Sequence, residues 1–152
     1  CALLRKYKVV TLQKASKKEI DIIYEWQIDP ITRKYFHNNE VPSYSEHCEW
    51  FEEVLCNKNI LLYIIMDDKR KVGCIRLNII DGNTATVSIL LSSSQYDKGF
   101  AFLALSSVLE MHKHFLFEAF IHAENEASKN LFLKCGFQQT GDTKYIKEAE
   151  SE

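Results

Sequence analysis

The chain has 152 residues, 46% of them hydrophobic, with 19 Lys and Arg against 21 Asp and Glu. That length suits one compact domain with a real core, and 26% charged with 12% aromatic residues exclude wholesale disorder. The net charge of −2 supplies no global attraction to nucleic acid or an anionic membrane. No apolar run reaches the roughly 18 residues that a bilayer span requires.

With only 5 Gly, no sustained heptads and no repeat period, collagen, coiled coil and solenoid are excluded as well. The five cysteines (Cys1, Cys48, Cys56, Cys74 and Cys135) are scattered, without a C-x-x-C pair. That pattern argues against a disulfide framework and against a structural metal, and it fits a reducing cytoplasm. The first residue is Cys1, not Met, and no signal-peptide pattern follows. The expectation is a single domain, 1–152, and its start fits a fragment of a longer chain.

In chain order, Val9, Val10 and Leu12 read as a first strand. Ser16 to Glu19 is a capping box, in which the serine hydroxyl accepts from the chain and the Glu19 carboxylate reaches back. A helix is predicted from there to about Asp29, where Pro30 disfavours continuation. The polar stretch Arg33 to Val41 carries His37, Asn38 and Asn39. Ser43 to Glu46 is a second capping box, opening a helix to about Cys56 on which His47, Trp50, Phe51, Val54 and Leu55 share one face.

Residues 60–66 form a continuous apolar run, as in a strand buried on both faces. A charged turn spans Asp67 to Lys71. Residues 72–80 and 84–92 flank Asp81-Gly82-Asn83, a hairpin signal. From Gly99 to about His114 the period is helical, with Ala101, Ala104, Leu105, Val108 and Met111 inward. Residues 115–123 read as a strand, Asn125 as the N-cap of a helix to Cys135, and Gly136 as its left-handed C-cap. One or two strands follow, and the acidic tail from Lys147 is expected to fray. The order β-α-α-β-β-β-α-β-α-β is an α+β, mixed-sheet pattern. Neither a dinucleotide glycine fingerprint nor a P-loop motif is present.

Two segments carry chemistry. In the first, Leu90 to Ala101, a strand ends, a polar loop follows and a helix begins near Gly99. First-turn amides lack internal partners and sit at the positive end of the helix dipole, which suits a phosphate or pyrophosphate. Gly99 and Ala101 remove side-chain bulk and Lys98 adds a charge, although most such junctions bind nothing. The second segment runs from Ala123 to Phe137, where a strand end feeds an Asn-capped helix closed by Gly136 and an aromatic.

Together, the element order, the Asp97-Lys98-Gly99-Phe100-Ala101 loop and the N-x-x-S-x-x-L-F-x-K-C-G-F run from Asn125 resemble the GNAT superfamily of acyl-CoA-dependent N-acetyltransferases. The family loop has Gln or Arg three residues before its glycine; here Tyr96 stands there and Gln95 is one place off, while Gly99 and Ala101 match. In the N-terminal half, Trp26, Asp29, Pro30 and Arg33, then Glu46, His47, Trp50 and Phe51, are similar to GNAT enzymes acting on nucleotide-linked amino sugars, as in pseudaminic and legionaminic acid synthesis.

The resemblance implies the GNAT fold, a mixed central sheet with helices on both faces. It implies acetyl-CoA as co-substrate, no metal, and direct transfer to an amine. The pantetheine arm would lie between the parted fourth and fifth strands along Ile89, Leu90 and Leu91. The pyrophosphate would lie on Tyr96, Asp97, Lys98, Gly99, Phe100 and Ala101, with Asn125, Ser128, Phe132 and Lys134 completing the cofactor side. The fourth strand has no carboxylate, and Ser88 stands near the family's usual base. The usual tyrosine is Phe132, which cannot donate a proton and is expected to pack.

Ser88 and His122 are the candidate catalytic residues, with His47 a second imidazole. For each, a purely structural role is the favoured competing explanation. Arg33, His37, His47 and Trp50 are the candidate acceptor site: arginine can fork onto a diphosphate and tryptophan can stack. The competing explanations are apolar packing for Trp50 and an exposed charge for Arg33.

The leading expectation is a small-molecule enzyme that acetylates the primary amine of a nucleotide amino sugar. The alternatives are a ribosomal-protein-type N-terminal acetyltransferase and a non-catalytic acyl-CoA-binding module. No nucleic acid or membrane partner is expected, and exposed edge strands would permit a homodimer. An acidic groove would favour a cationic peptide, and a basic, aromatic one a diphosphate.

Overall fold

Both capping boxes form. Glu19 Oε1 accepts from the Ser16 amide at 2.8 Å and Ser16 Oγ from the Lys18 amide at 3.3 Å; Ser43 Oγ accepts from the Glu46 amide at 3.1 Å. The first opens a 3-10 turn, Lys17–Glu19, that leads into α1 (Ile20–Ile28), and the second opens α3 (Tyr44–Cys56). Asp29 is extended, as a residue before proline must be, and its carboxylate caps the short helix α2 (Pro30–Arg33). The sequence reading did not anticipate α2. The computed structural model describes residues 9–38 and 40–151; Cys1 and Asn39 lie outside them.

The remaining elements are β1 (Thr11–Lys14), β2 (Ile60–Asp67), β3 (Arg70–Ile79), β4 (Thr84–Leu91), α4 (Phe100–Met111), β5 (Leu116–Phe120), α5 (Glu126–Lys134), β6 (Gln138–Gln139) and β7 (Lys144–Lys147). They form one seven-stranded sheet in the order β1-β2-β3-β4-β5-β7-β6. β1 to β4 are an antiparallel meander, β4 and β5 are parallel, and β7 returns antiparallel between β5 and β6. One buried cluster joins α4 and α5 to one face through Val87, Leu105, Phe117 and Phe132. A second joins α1 and α3 to the other through Ile23, Trp26, Phe51 and Ile64. The expected α+β architecture, a mixed sheet with helices on both faces, is the one observed.

Several boundaries differ from expectation. Val9 is 67% exposed and precedes β1. The turn after β2 is tighter than predicted, with Asp67 already paired to Arg70 and Asp68 at φ 55°. In the β3–β4 hairpin the turn is closed by Asp81 Oδ1, which accepts from the Asn83 amide, and Gly82 does not take a positive φ. Helix α4 stops at Met111, and Met111 is 53% exposed; the inward stripe is Phe100, Ala104, Leu105, Val108 and Leu109. β5 ends at Phe120, short of the predicted 123. Lys147 belongs to β7, and the tail is tied down by the Glu150 amide, which donates to Lys113 O at 2.9 Å. Gly136, at φ 96°, is the left-handed cap expected after α5.

Candidate functional site

β4 and β5 pair only from Thr84 with Leu116 to Thr86 with Glu118. Beyond that point each strand follows its other neighbour. β4 stays on β3 as far as Leu91 with Gly73, and β5 stays on β7 as far as Phe120 with Lys144. An opening is left between them. The Ile80 amide donates to Thr84 O, and the Ser92 amide to Val72 O. This alternation turns even-numbered β4 residues toward β3 and leaves the backbone groups of Val87, Ile89 and Leu91 facing the opening.

The opening is part of a cleft of about 730 Å³, within the usual range for small-molecule sites. One end is the loop before α4. Asp97 and Gly99 both have positive φ, 62° and 84°. No side chain caps the first turn of α4, and a Cβ at Gly99 would meet nothing within 4 Å. The residues from Tyr96 to Ala101, except Lys98, line this end. Such amides can hold an anion, and the unpaired edge of β4 can bond an extended amide chain as an added strand would. Burial pushes the Tyr96 phenol up, so it stays protonated at neutral pH.

Most of the anticipated residues meet here: Ser88, Ile89, Leu90 and Leu91 from β4; His122 and Asn125 from beyond β5; Ser128 and Phe132 from α5; His37 and Trp50 from the opposite side. Asn125 Oδ1 caps α5 by accepting from the Ser128 amide at 3.2 Å. Phe132 is buried, edge-on to Phe137 with centroids 5.0 Å apart. It is a packing residue, as its chemistry requires.

Four anticipated residues do not line the cleft. His47 is 1% exposed; its Nε2 lies 2.9 Å from Ile20 O and its Nδ1 3.1 Å from Gln27 Oε1. Both nitrogens are engaged inside the α1–α3 layer, so it is a structural histidine. Arg33 donates to the carbonyls of Gln27, Asn38 and Glu40 at 2.7–3.0 Å, pinning the polar stretch after α2. Lys98 Nζ donates to Gln95 Oε1 at 3.2 Å. Lys134 Nζ lies 4.3 Å from the centroid of the Phe102 ring. His122 lines the cleft, but its Nδ1 accepts from the Glu124 amide at 3.1 Å. In the neutral ring Nε2 then carries the hydrogen, so His122 offers the cleft a donor and not a base.

Sequence reasoning missed Gln27, Tyr35, Phe36 and Arg76, which also line the cleft. Arg76 sits inside the β3 run, opposite Ser88 in register, and its guanidinium lies 5.6 Å from the Trp50 ring centroid. A single charged residue within the otherwise uncharged run 72–80 was the available signal. Tyr35 meets the His122 ring at 5.5 Å, joining the stretch after α2 to the end of β5.

Parted parallel strands with an uncapped helix start at the mouth suit an extended, anion-bearing ligand. The Acetyltransferase (GNAT) domain family matches residues 10–138, and the chain belongs to it. It is an N-acetyltransferase with acetyl-CoA as co-substrate. The fold is similar to a ribosomal L7/L12 alpha-N-protein acetyltransferase in complex with coenzyme A (TM-score 0.83, 13% identity, 96% of this chain and 97% of that one). It is also similar to a domain from Methanocaldococcus jannaschii (TM-score 0.80, 21% identity, 92% and 97%). A third likeness is to spermidine N-acetyltransferase from Vibrio cholerae in complex with CoA and spermine (TM-score 0.79, 17% identity, 91% and 92%). No curated protein matches the sequence significantly.

Proposed function

We propose that this chain transfers an acetyl group from acetyl-CoA to the primary amine of a nucleotide-linked amino sugar. The observation that carries this reading is the composition of the cleft's acceptor side. Trp50, Tyr35 and Phe36 line the cleft together with a single permanent cation, Arg76, which lies against Trp50, and the one carboxylate among the lining residues is Asp97, in the loop before α4. A polyamine, an aminoglycoside or a cationic peptide needs carboxylates to meet its charges. A base or sugar ring with a diphosphate suits aromatic faces and a guanidinium. The fold neighbour that holds spermine is therefore a guide to architecture only.

In this reading the unpaired edge of β4 at Val87, Ile89 and Leu91 orients the thioester, and the amides from Tyr96 to Ala101 hold the pyrophosphate. Asn125, Ser128 and Phe132 bound the donor side. Acetyl-CoA supplies an activated acyl carbon with a stable thiolate as leaving group. The amine nitrogen forms the new C–N bond, the C–S bond breaks, and the ammonium proton passes to solvent. Ser88, on the acceptor face of β4, holds the amine or a water beside it. His122 Nε2–H donates a hydrogen bond toward the reacting end, and His37 and Trp50 bound the acceptor. With no carboxylate among the described residues that line the acceptor side, the rate rests chiefly on holding the two reactants in line.

A thiol-release assay tests this: acetyl-CoA with UDP-amino sugars, spermidine, an aminoglycoside and an N-terminal peptide as parallel acceptors. Turnover only with the UDP-amino sugars is expected. Preference for spermidine or the peptide overturns the acceptor assignment.

A further inference from the structure

Arg76 carries a charge that the protein itself does not answer. It projects from the centre of β3, flanked in register by Leu62 on β2 and Ser88 on β4. Its Nε is buried without a hydrogen-bond partner. Among the described residues it makes no ion pair. Its electrostatic neighbours are the face of Trp50 and the thiol of Cys74, which burial keeps protonated and uncharged. A guanidinium withdrawn from water without a carboxylate is disfavoured, and burial accordingly presses its pKa down. The same side chain lines the cleft. Arg33, whose Nε is also unpartnered, provides the contrast, since its terminal nitrogens are occupied by the backbone carbonyls of Gln27, Asn38 and Glu40.

We infer that Arg76 selects the acceptor, its guanidinium pairing with an anionic group, phosphate or carboxylate, that the acceptor carries apart from its amine. This rests on the acetyltransferase reading above and assigns the specificity of that site to one residue. The planar fork presents parallel N–H donors to two oxygens, and Trp50 holds the plane from one side. Ser88, the cross-strand partner of Arg76, stands beside it on the same face, so the anion and the reacting amine are held close to one another. The same charge repels polycations, so selection works in both directions.

The test measures kcat/KM for anionic amines, each beside its neutral counterpart: a UDP-amino sugar and an amino-sugar phosphate against the free amino sugar, and an amino acid against its amide. Wild-type protein is compared with R76M and R76K. The expected result is a wild-type preference for the anionic member. In R76M the anionic-to-neutral ratio falls about 10- to 100-fold, mainly through KM, and in R76K, which keeps the charge but loses the fork, it falls less. Coenzyme A affinity and thermal unfolding report whether each variant is folded. R76K, with the charge retained, keeps the test open should R76M fail to fold.

An unchanged ratio in a folded variant, or a wild-type enzyme indifferent to the anion, overturns the inference. Preference for the amino-sugar phosphate or the amino acid over the UDP-amino sugar overturns the nucleotide-sugar reading and leaves the role of Arg76 standing. If no amine turns over, binding of the UDP-amino sugar to the coenzyme A-loaded wild type and R76M decides. Weaker binding to R76M supports the inference, and equal or absent binding to both overturns it.

Discussion

Thr86 and Glu118 are the last residues that β4 and β5 share as a pair. The cleft-lining residues of these two strands and of the chain just after β5 all lie beyond this pair: Val87 to Leu91 on one side, Ala119 to His122 on the other. The strands part because each keeps a full partner on its far side, so neither loses its ladder by leaving the other.

Gly73 holds β4 against β3 at the mouth of the cleft. A Cβ there would lie 2.5 Å from Leu90 O and 2.7 Å from the Leu91 side chain, so backbone must move. Gly73→Ala is expected to lower stability by about 1–3 kcal/mol and to weaken coenzyme A binding by displacing Leu90 and Leu91. Chemical denaturation and calorimetric titration measure the two effects.

Gly99 stands at φ 84° with open space around its missing side chain. Gly99→Val forces a branched residue into a left-handed conformation, a strain of roughly 1–2 kcal/mol, and fills the loop that faces the ligand. A Tm drop of a few degrees, together with a larger loss of coenzyme A affinity, is expected. Unaltered affinity would show that this loop does not hold the pyrophosphate.

Glu19 governs part of the acid stability. Burial opposes its charged form, but the Lys71 ammonium at 3.0 Å and the Ser16 amide and hydroxyl outweigh that and hold the carboxyl below its ordinary 4.5. A folded pKa below the unfolded one gives stability that is present above pH 4.5 and is lost as pH falls through the folded value. Glu19→Gln should flatten the fall in stability below that pH, and should lower stability at pH 7 by about 1–3 kcal/mol. Urea titrations at several pH values measure both.

The cysteines should differ in reactivity. Burial pushes the Cys74 thiol up to about 12, with the nearby Arg76 charge only partly offsetting it, whereas Cys56 is exposed. Cys74 should therefore resist alkylation at neutral pH until the fold opens, while Cys56 reacts at once. Mass spectrometry with and without denaturant reads the difference.

His47 and Trp50 sit on one helix with rings 5.7 Å apart and should fail differently. His47→Ala removes a buried ring and strands its two partners, lowering stability by about 2–4 kcal/mol without a selective change in acceptor KM. Trp50→Ala removes the face under Arg76 and should raise acceptor KM several-fold while coenzyme A affinity holds. Steady-state kinetics beside denaturation curves separates the two.

Local chemistry was legible in the chain. Ser16 with Glu19, Ser43 with Glu46, Asp29 before Pro30, Asn125 and Gly136 act through neighbours within a few residues, so their patterns hold whatever packs around them. Gly99 marked the loop for the same reason. The inward stripe of α4 was misjudged at Met111 because a mostly apolar helix offers several plausible faces, and only the sheet beneath selects one.

The acceptor side was the least legible. Arg33 looked like a forked anion receptor until three backbone carbonyls were found to hold it, and His47 looked like a base until the α1–α3 interface enclosed it. Arg76 went unnoticed within an apolar strand and became the cleft's permanent cation once β3 lay between β2 and β4. The sequence by itself determined the capped starts after Ser16, Ser43 and Asn125, the close of α5 at Gly136 and the mixed α+β order, because those follow from short-range bonds and periodicity, while its motifs carried the resemblance to the acetyltransferase family. The tertiary structure alone decided which side chains meet solvent, core or cleft, because a charge or ring acquires its role from groups that lie far away along the chain.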